Sequence, residues 1–235
     1  AEVLITLGII GVVAAMTLPS LINNYKAKVL ENQFKKSNSV LQQALKNSVF
    51  EMGYGDVSEL TIPYGQVTSE NFASLKEEVD RLNEVWINQF VGAKKLDYIS
   101  TYQQFNAKKL DCYSIVGKSQ NGIGCFFYAG GDGSYILPDG MLVSKLTAYN
   151  NGATLPGCIT FSFDTNGPYK GPNRWGHDIF IYVSTPTPYF TECNPVKGTS
   201  YREKGCYSWA NRNVNPIDNS KSYWDMLFKP ESYFE

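Results

Sequence analysis

Four side chains with oxygen ligands lie in the stretch 164–178, which separates two apolar runs. They are Asp164, Asn166, Asn173 and Asp178. Carboxylate and amide oxygens are the ligands that Ca²⁺ prefers, so the stretch predicts a candidate calcium site. The spacing is not that of an EF-hand loop, which carries a glycine at its sixth position and a glutamate at its twelfth. Asx side chains that cap a Gly- and Pro-rich turn would explain the same residues without a metal, and both interpretations stay open.

Five cysteines follow the apolar N-terminal run, and no two of them form a C-x-x-C pair. This arrangement favours disulfides in an exported domain over zinc ligation or thioredoxin-like chemistry. The preferred bridges are Cys112–Cys125 and Cys193–Cys206, because each closes a loop of roughly a dozen residues and would contribute on the order of 3 kcal/mol. Cys158 would then be a buried free thiol. The alternative, in which all five cysteines are reduced core residues, stays open.

Few residues of the chain are suited to catalysis. The sequence contains one histidine, His177, which excludes a metal site with several histidines within this chain. No nucleophile–base pair or phosphate-binding loop is recognisable, so no enzyme activity is predicted. The 21 basic and 22 acidic residues nearly balance, and no specific nucleic-acid binding is predicted.

The elements that must carry these residues begin with one long helix. From Val3 to Ile22 there is no charged side chain, and a helix of that length is about 30 Å long, enough to cross a bilayer core. An amphipathic half follows and ends near the glycines at 53 and 55, for a total of about 75 Å. Its predicted apolar stripe is Ile22, Tyr25, Val29, Phe34, Leu41, Leu45 and Val49. The predicted division is a hydrophobic helix at 1–22 and a globular head at 23–235.

The remainder of the head predicts a mixed α+β fold. Residues 56–68 resemble a loop, and a second helix is expected from Ser69 as its N-cap to Phe90. Its predicted apolar stripe is Phe72, Leu75, Val79, Leu82, Trp86 and Phe90. Strands are predicted at 125–128, 134–137, 141–144, 159–163 and 179–183, with an Asp-Gly turn between the second and third. The expected fold is a long helix packed on an antiparallel sheet of about four strands. The tail from residue 186 is expected to be a surface loop region pinned by a disulfide.

Four residues of the apolar run are not explained by a plain membrane anchor. A buried carboxylate at Glu2 would need a partner, whereas Gly8 and Gly11 allow close approach of helices. Pro19 removes a backbone hydrogen bond and predicts a local kink or unwinding. No basic residue precedes the run as in a secretory signal peptide, so cleavage after the run is not expected.

The run E-V-L-I-T-L-G-I-I-G-V-V-A-A-M-T-L-P-S-L resembles the N-terminal segment of type IV pilins and type II secretion pseudopilins. In that family the glutamate is the fifth mature residue and follows a phenylalanine, whereas here Glu2 is second. The resemblance therefore implies that the leader and the first three mature residues precede this sequence. A second motif, D-x-N-G…G-P-N…G-x-D-I-F from Asp164 onward, resembles a signature in the heads of prepilin-like proteins, some of which bind calcium.

The resemblance implies a structural subunit that assembles into a helical filament. Glu2 would pair with the N-terminal amine of a neighbouring subunit, and Gly11 and Pro19 would belong to the same assembly segment. The implied partners are further copies or other pilins, a prepilin peptidase, the inner-membrane assembly machinery and, before assembly, membrane lipid. The implied location is the bacterial inner membrane first, with the head outside the cytoplasm, and an extracellular or periplasmic filament later. The alternative is a membrane-anchored minor pilin or adhesin whose loop-rich head binds a ligand or surface.

Overall fold

A single helix forms the axis of the structure. The computed structural model describes residues 2–63, 65–96, 134–149, 157–167, 169–185, 193 and 206–228. Helix α1 runs without a break over Glu2–Glu51 and includes Pro19, so the unwinding predicted there is not observed. It ends where predicted, with Gly53 at φ +90° and with the amide of Tyr54 donating to the carbonyl of Val49 at 3.1 Å.

The second half of α1 packs on the head from Ala27 onward, which is 4 % exposed. Of the predicted stripe, Phe34, Leu41, Leu45 and Val49 are buried, and Leu30 and Ala44 join them. Ile22 and Tyr25 are exposed by 48 % and 70 %, so their prediction as packing residues is wrong. The spacing of apolar residues identifies the buried face of the helix, but it does not show where along the helix the contact with the head begins.

Helix α2 (Ser69–Asn88) lies against α1 and the sheet. Its N-cap is Thr68 and not Ser69 as predicted: the Thr68 hydroxyl accepts from the amide of Asn71, whose side chain accepts from the amide of Thr68. This reciprocal pair satisfies two amides that a helix start leaves without partners. The predicted loop before α2 contains a short 3₁₀-helix at Val57–Leu60. Of the predicted stripe, Leu75, Val79, Leu82 and Trp86 are buried along α2, and Phe90 is buried two residues beyond its end.

All six described strands are antiparallel and form one sheet. They are β1 (Lys94–Leu96), β2 (Ser134–Ile136), β3 (Leu142–Ser144), β4 (Thr147–Tyr149), β5 (Cys158–Asp164) and β6 (Ile179–Val183). Strand β5 is central. Its C-terminal end pairs with β3 and its N-terminal end with β4, whereas β6 pairs with β5 from Thr160 to Asp164. The α+β fold and the strands β2, β3, β5 and β6 are confirmed. Strands β1 and β4 were missed because each has three residues and no apolar alternation; the strand predicted at 125–128 lies outside the described residues.

Phe34 is the point where α1, the sheet and the tail meet. Its ring lies 4.6 Å from the ring of Phe180 on β6 and 5.3 Å from that of Trp224. Trp224 belongs to α4 (Tyr223–Met226), which together with α3 (Cys206–Arg212) gives the tail two short helices that its sequence did not predict. Phe34 is 1 % exposed, so one aromatic side chain joins three parts of the fold.

The central position of Phe34 generates a stability prediction. Phe34→Ala should destabilise the full-length protein by about 3–5 kcal/mol, because it leaves a cavity among four aromatic rings. Thermal unfolding followed by circular dichroism in detergent measures the change. Phe50→Ala is a matched control on the same helix, since Phe50 is 77 % exposed, and its melting temperature should stay close to that of the wild type. Equal losses from both substitutions would contradict the assigned packing.

Candidate functional site

The apolar stem, residues 3–22 of α1, lies outside the core formed by the described residues. Its large side chains are exposed, including Val3 at 70 %, Leu4 at 76 % and Met16 at 75 %. By length and composition this part of α1 could cross a membrane, a property that signal sequences share. Exposure of this many apolar side chains in water would be unfavourable, and the described residues of the head do not cover them, so an apolar environment would stabilise the stem.

The polar groups of the stem are compatible with such an environment. The hydroxyls of Thr6 and Thr17 donate to the carbonyls of Val3 and Val13 at 3.0 and 2.9 Å within the helix itself. A Cβ added at Gly8 or at Gly11 would meet no atom within 4 Å, so both glycines face open space. The structure therefore leaves this face of the stem accessible to another apolar helix or to lipid.

The second candidate site is the loop that carries the four predicted oxygen ligands. Both aspartates cap backbone amides within it. Asp164 Oδ1 accepts from the amides of Asn166 and Gly167 at 3.1 and 2.9 Å. Asp178 Oδ2 accepts from the amide of Asn173 at 2.8 Å, and its Oδ1 from that of Arg174 at 2.6 Å. These bonds form the turn-capping arrangement that the sequence offered as the explanation without a metal.

This capped loop is attached to α1 and to the β2–β3 turn. The side-chain amide of Asn166 donates to Gln33 Oε1 at 3.5 Å. The Ser37 hydroxyl donates to the backbone carbonyl of Thr165, also at 3.5 Å. A Cβ at Gly167 would lie 2.0 Å from the carbonyl oxygen of Gly140, so only glycine fits at that contact. Sequence reasoning missed Gln33 and Ser37, because polar residues on an amphipathic helix give no signal that they face a loop.

Burial dominates the electrostatics of the loop. Asp164 and Asp178 are both 0 % exposed. Burial, together with the nearby charge of Asp178, raises the pKa of Asp164 well above its usual value. Burial raises the pKa of Asp178 to about 7, although the amides that it caps act in the opposite direction. Burial and the neighbouring Arg174 lower the pKa of His177 to about 3, so this histidine is neutral at physiological pH.

Some oxygens of the loop are available to a cation. Asp164 Oδ2 and Asn166 Oδ1 are buried and meet no hydrogen-bond donor among the described residues. Within the same residues, no group of three or more His, Cys, Asp or Glu side chains is arranged to hold a metal. The loop thus provides two buried carboxylates and an amide oxygen, and further ligands would have to be backbone carbonyls or water. The calcium site at Asp164, Asn166, Asn173 and Asp178 stays a prediction.

The cysteines agree with the predicted framework where they are described. Cys193 and Cys206 form a disulfide, with their Cα atoms 4.6 Å apart, so this bridge is confirmed. Cys158 is a buried free thiol on β5, and burial raises its pKa to about 12, which disfavours the reactive thiolate. Cys112 and Cys125 lie outside the described residues.

Comparison of the sequence with protein-family models gave no match, and searches of the curated proteins and the solved structures found no match either.

The two buried aspartates predict an unusual pH dependence in the presence of a chelator. A carboxyl group whose folded pKa exceeds its unfolded value stabilises the fold at low pH, and this contribution is lost as the pH rises through the folded pKa. The fall in the free energy of unfolding begins near the unfolded carboxyl pKa of about 4. Between about pH 6.5 and 8.5 it should still amount to about 1 kcal/mol from Asp178 alone, and to more where Asp164 also ionises. His177 does not obscure the effect, because a depressed histidine pKa lowers stability only as the pH falls below about 6.5.

Asp164→Asn should reduce this pH dependence, since the amide keeps an acceptor for the two capped amides and removes one of the two charges. The matched control is Asp139→Asn. Burial would raise the pKa of Asp139, but its ion pair with Lys36 at 2.7 Å lowers it overall, so Asp139 stays charged throughout the window. Urea unfolding at each pH measures the effect. A wild-type free energy that is constant across the window would contradict the raised pKa values that burial gives these aspartates.

Proposed function

We propose that this chain is a subunit of a type IV pilus or a type II secretion pseudopilus. Before assembly the subunit would be anchored in the inner membrane by its apolar stem, and it would then assemble into a helical filament. The observation that carries the proposal is the two-part character of α1: one helix is exposed and apolar over residues 3–22 and is buried in the head from Ala27 onward. A globular domain alone has no use for such a stem, whereas a filament can bury it among neighbouring subunits.

Other features support the same function. The helix is continuous through Pro19, so the stem and the head are connected without a flexible linker. The Cys193–Cys206 disulfide is typical of a protein that folds outside the cytoplasm. Identical contacts between different surfaces of successive copies, which never close into a ring, would generate a filament.

Assembly through this stem predicts a specific effect at Glu2. Glu2→Leu should leave membrane insertion intact but abolish incorporation into filaments, because the proposed pair between this carboxylate and the amine of a neighbouring subunit is lost. Membrane fractionation and electron microscopy of sheared surface material, in a bacterium that assembles the filament, measure the two steps separately. Glu77→Leu, the same change at an exposed position of α2, should assemble normally. Assembly of Glu2→Leu at the wild-type level would remove this role.

The same sheared material distinguishes the principal proposal from its alternative. Mass spectrometry should find fibres composed chiefly of this chain if it is a major subunit. Fibres in which it is rare or absent would favour the minor pilin or adhesin, whose head binds a ligand or surface.

We also propose that the loop at 164–178 binds Ca²⁺. Two buried carboxylates lie in this loop, and Asp164 Oδ2 and Asn166 Oδ1 are oxygens without a described donor. A divalent cation would keep both carboxylates ionised and remove their mutual repulsion. Asp164 and Asn166 would supply ligands, and Asp178 would hold the loop through its two capped amides.

Calcium binding predicts a change in stability at neutral pH. An excess of about one hundred times the dissociation constant should raise the free energy of unfolding by about 2.7 kcal/mol relative to chelator. Thermal unfolding of the full-length protein in chelator, in calcium and in magnesium measures the effect and its selectivity. Asp164→Asn should abolish it, whereas Asp139→Asn should retain it. Identical melting temperatures in calcium and in chelator would contradict the site.

A further inference from the structure

The residues that follow the apolar stem have the character of a membrane interface. Tyr25 is 70 % exposed, Lys26 is exposed, and the side chain of Lys28 is 65 % exposed. Tyrosine and lysine are the residues that accumulate at the level of lipid headgroups, where an apolar body and a polar tip can both be satisfied. These three residues are called the collar below.

The position of the collar along α1 matches the thickness of the headgroup layer. With a rise of about 1.5 Å per residue, Tyr25, Lys26 and Lys28 lie about 4.5, 6 and 9 Å beyond Ile22. Each headgroup layer is about 5–7 Å thick next to a hydrocarbon core of about 30 Å. A stem that fills the core therefore places Tyr25 and Lys26 within this layer. The backbone of Lys28 lies about 2 Å beyond it, a distance that the long lysine side chain can span.

The head begins at the same level. The side-chain amide of Asn23 donates to the carbonyl of Phe228 at 3.2 Å, and Ala27 is the first buried side chain of α1. Because this contact lies within two turns of the end of the stem, the head cannot move away from the bilayer while the stem spans it. The collar would thus be held against the headgroups by the fold itself.

The charges around the collar favour an anionic surface. Lys26 forms no ion pair with any described residue. Lys28 and Lys35 share Glu31, whose carboxylate oxygens lie 2.8 and 2.5 Å from the two amines. On the packed face, α4 contributes the exposed Asp225. Among the described residues around the collar, three lysines thus oppose two acids, and Lys26, the lysine nearest to the stem, has no ion-pair partner among them.

We propose that Tyr25, Lys26 and Lys28 bind the headgroups of anionic phospholipids and hold the head on the membrane surface before assembly. The inference rests on the proposed membrane insertion of the stem and adds the lipid class that the inserted subunit selects. Lys26 and Lys28 contact the lipid phosphates, and the Tyr25 ring lies at the boundary of the hydrocarbon.

The test uses the full chain in vesicles of phosphatidylcholine, with or without about 30 mol% phosphatidylglycerol. Brief acylation of lysines by an N-hydroxysuccinimide ester is quantified residue by residue by mass spectrometry. Labelling of Lys26 should fall about fivefold in the anionic vesicles, and about 0.5 M salt should restore it. Lys46, about 36 Å beyond Ile22 on the same helix, is the internal control and should not change.

A variant provides a second measurement. Lys26→Gln should reduce the phosphatidylglycerol that co-purifies with the protein from mixed vesicles by about threefold, whereas Lys46→Gln should leave it unchanged. Equal labelling of Lys26 in both vesicles, or a difference that salt does not reverse, overturns the collar while leaving stem insertion intact. Extraction of the chain by alkaline carbonate would instead contradict insertion of the stem, and it would thereby contradict the proposed role of the collar as well.

Discussion

The structure depends on one helix that must satisfy two environments along its length. Over residues 3–22 α1 has no charged side chain and exposes most of its large apolar side chains, so removal of this surface from water would stabilise it. From Ala27 onward one face is apolar and packs on the head, chiefly through Phe34. The pattern changes within about one and a half turns, between Ile22 and Ala27, and this change fixes where a surrounding apolar phase would end and where the head begins.

The loop at 164–178 illustrates how a polar cluster becomes part of a core. Asp164 is the last residue of β5, and Asp178 directly precedes β6, so the pairing of these two strands brings both carboxylates together. Each carboxylate then satisfies amides of a chain segment that has too many glycines and prolines to form regular structure. The same capping places two carboxylates in the core, where their charges repel when both are ionised. A bound proton or cation would relieve this repulsion.

Several features of the fold could be predicted from the sequence, because they arise from strong local patterns. The apolar run, the stripe of α2, the long strands and the Asp-Gly turn all have periods or turn residues that specify one conformation. The start of the head contact at Ala27, the strands β1 and β4 and the helices of the tail depend on tertiary contacts, which no local pattern encodes. For the candidate site, residue types identified Asp164 and Asp178, but their burial and their contacts with Gln33 and Ser37 required the fold.

The unbroken course of α1 has a consequence for subunit geometry. Successive residues of an α-helix are rotated by about 100° around its axis, so the angular position of the head is set by the number of residues between the stem and Ala27. Loss or gain of one residue there would rotate the head by about 100° relative to the stem face that carries Gly8 and Gly11. A change of seven residues, close to two turns, would restore its direction to within about 20°. The number of residues in this junction therefore fixes the rotation of the head about the helix axis. Insertions or deletions that preserve this rotation are those of close to a whole number of helical turns.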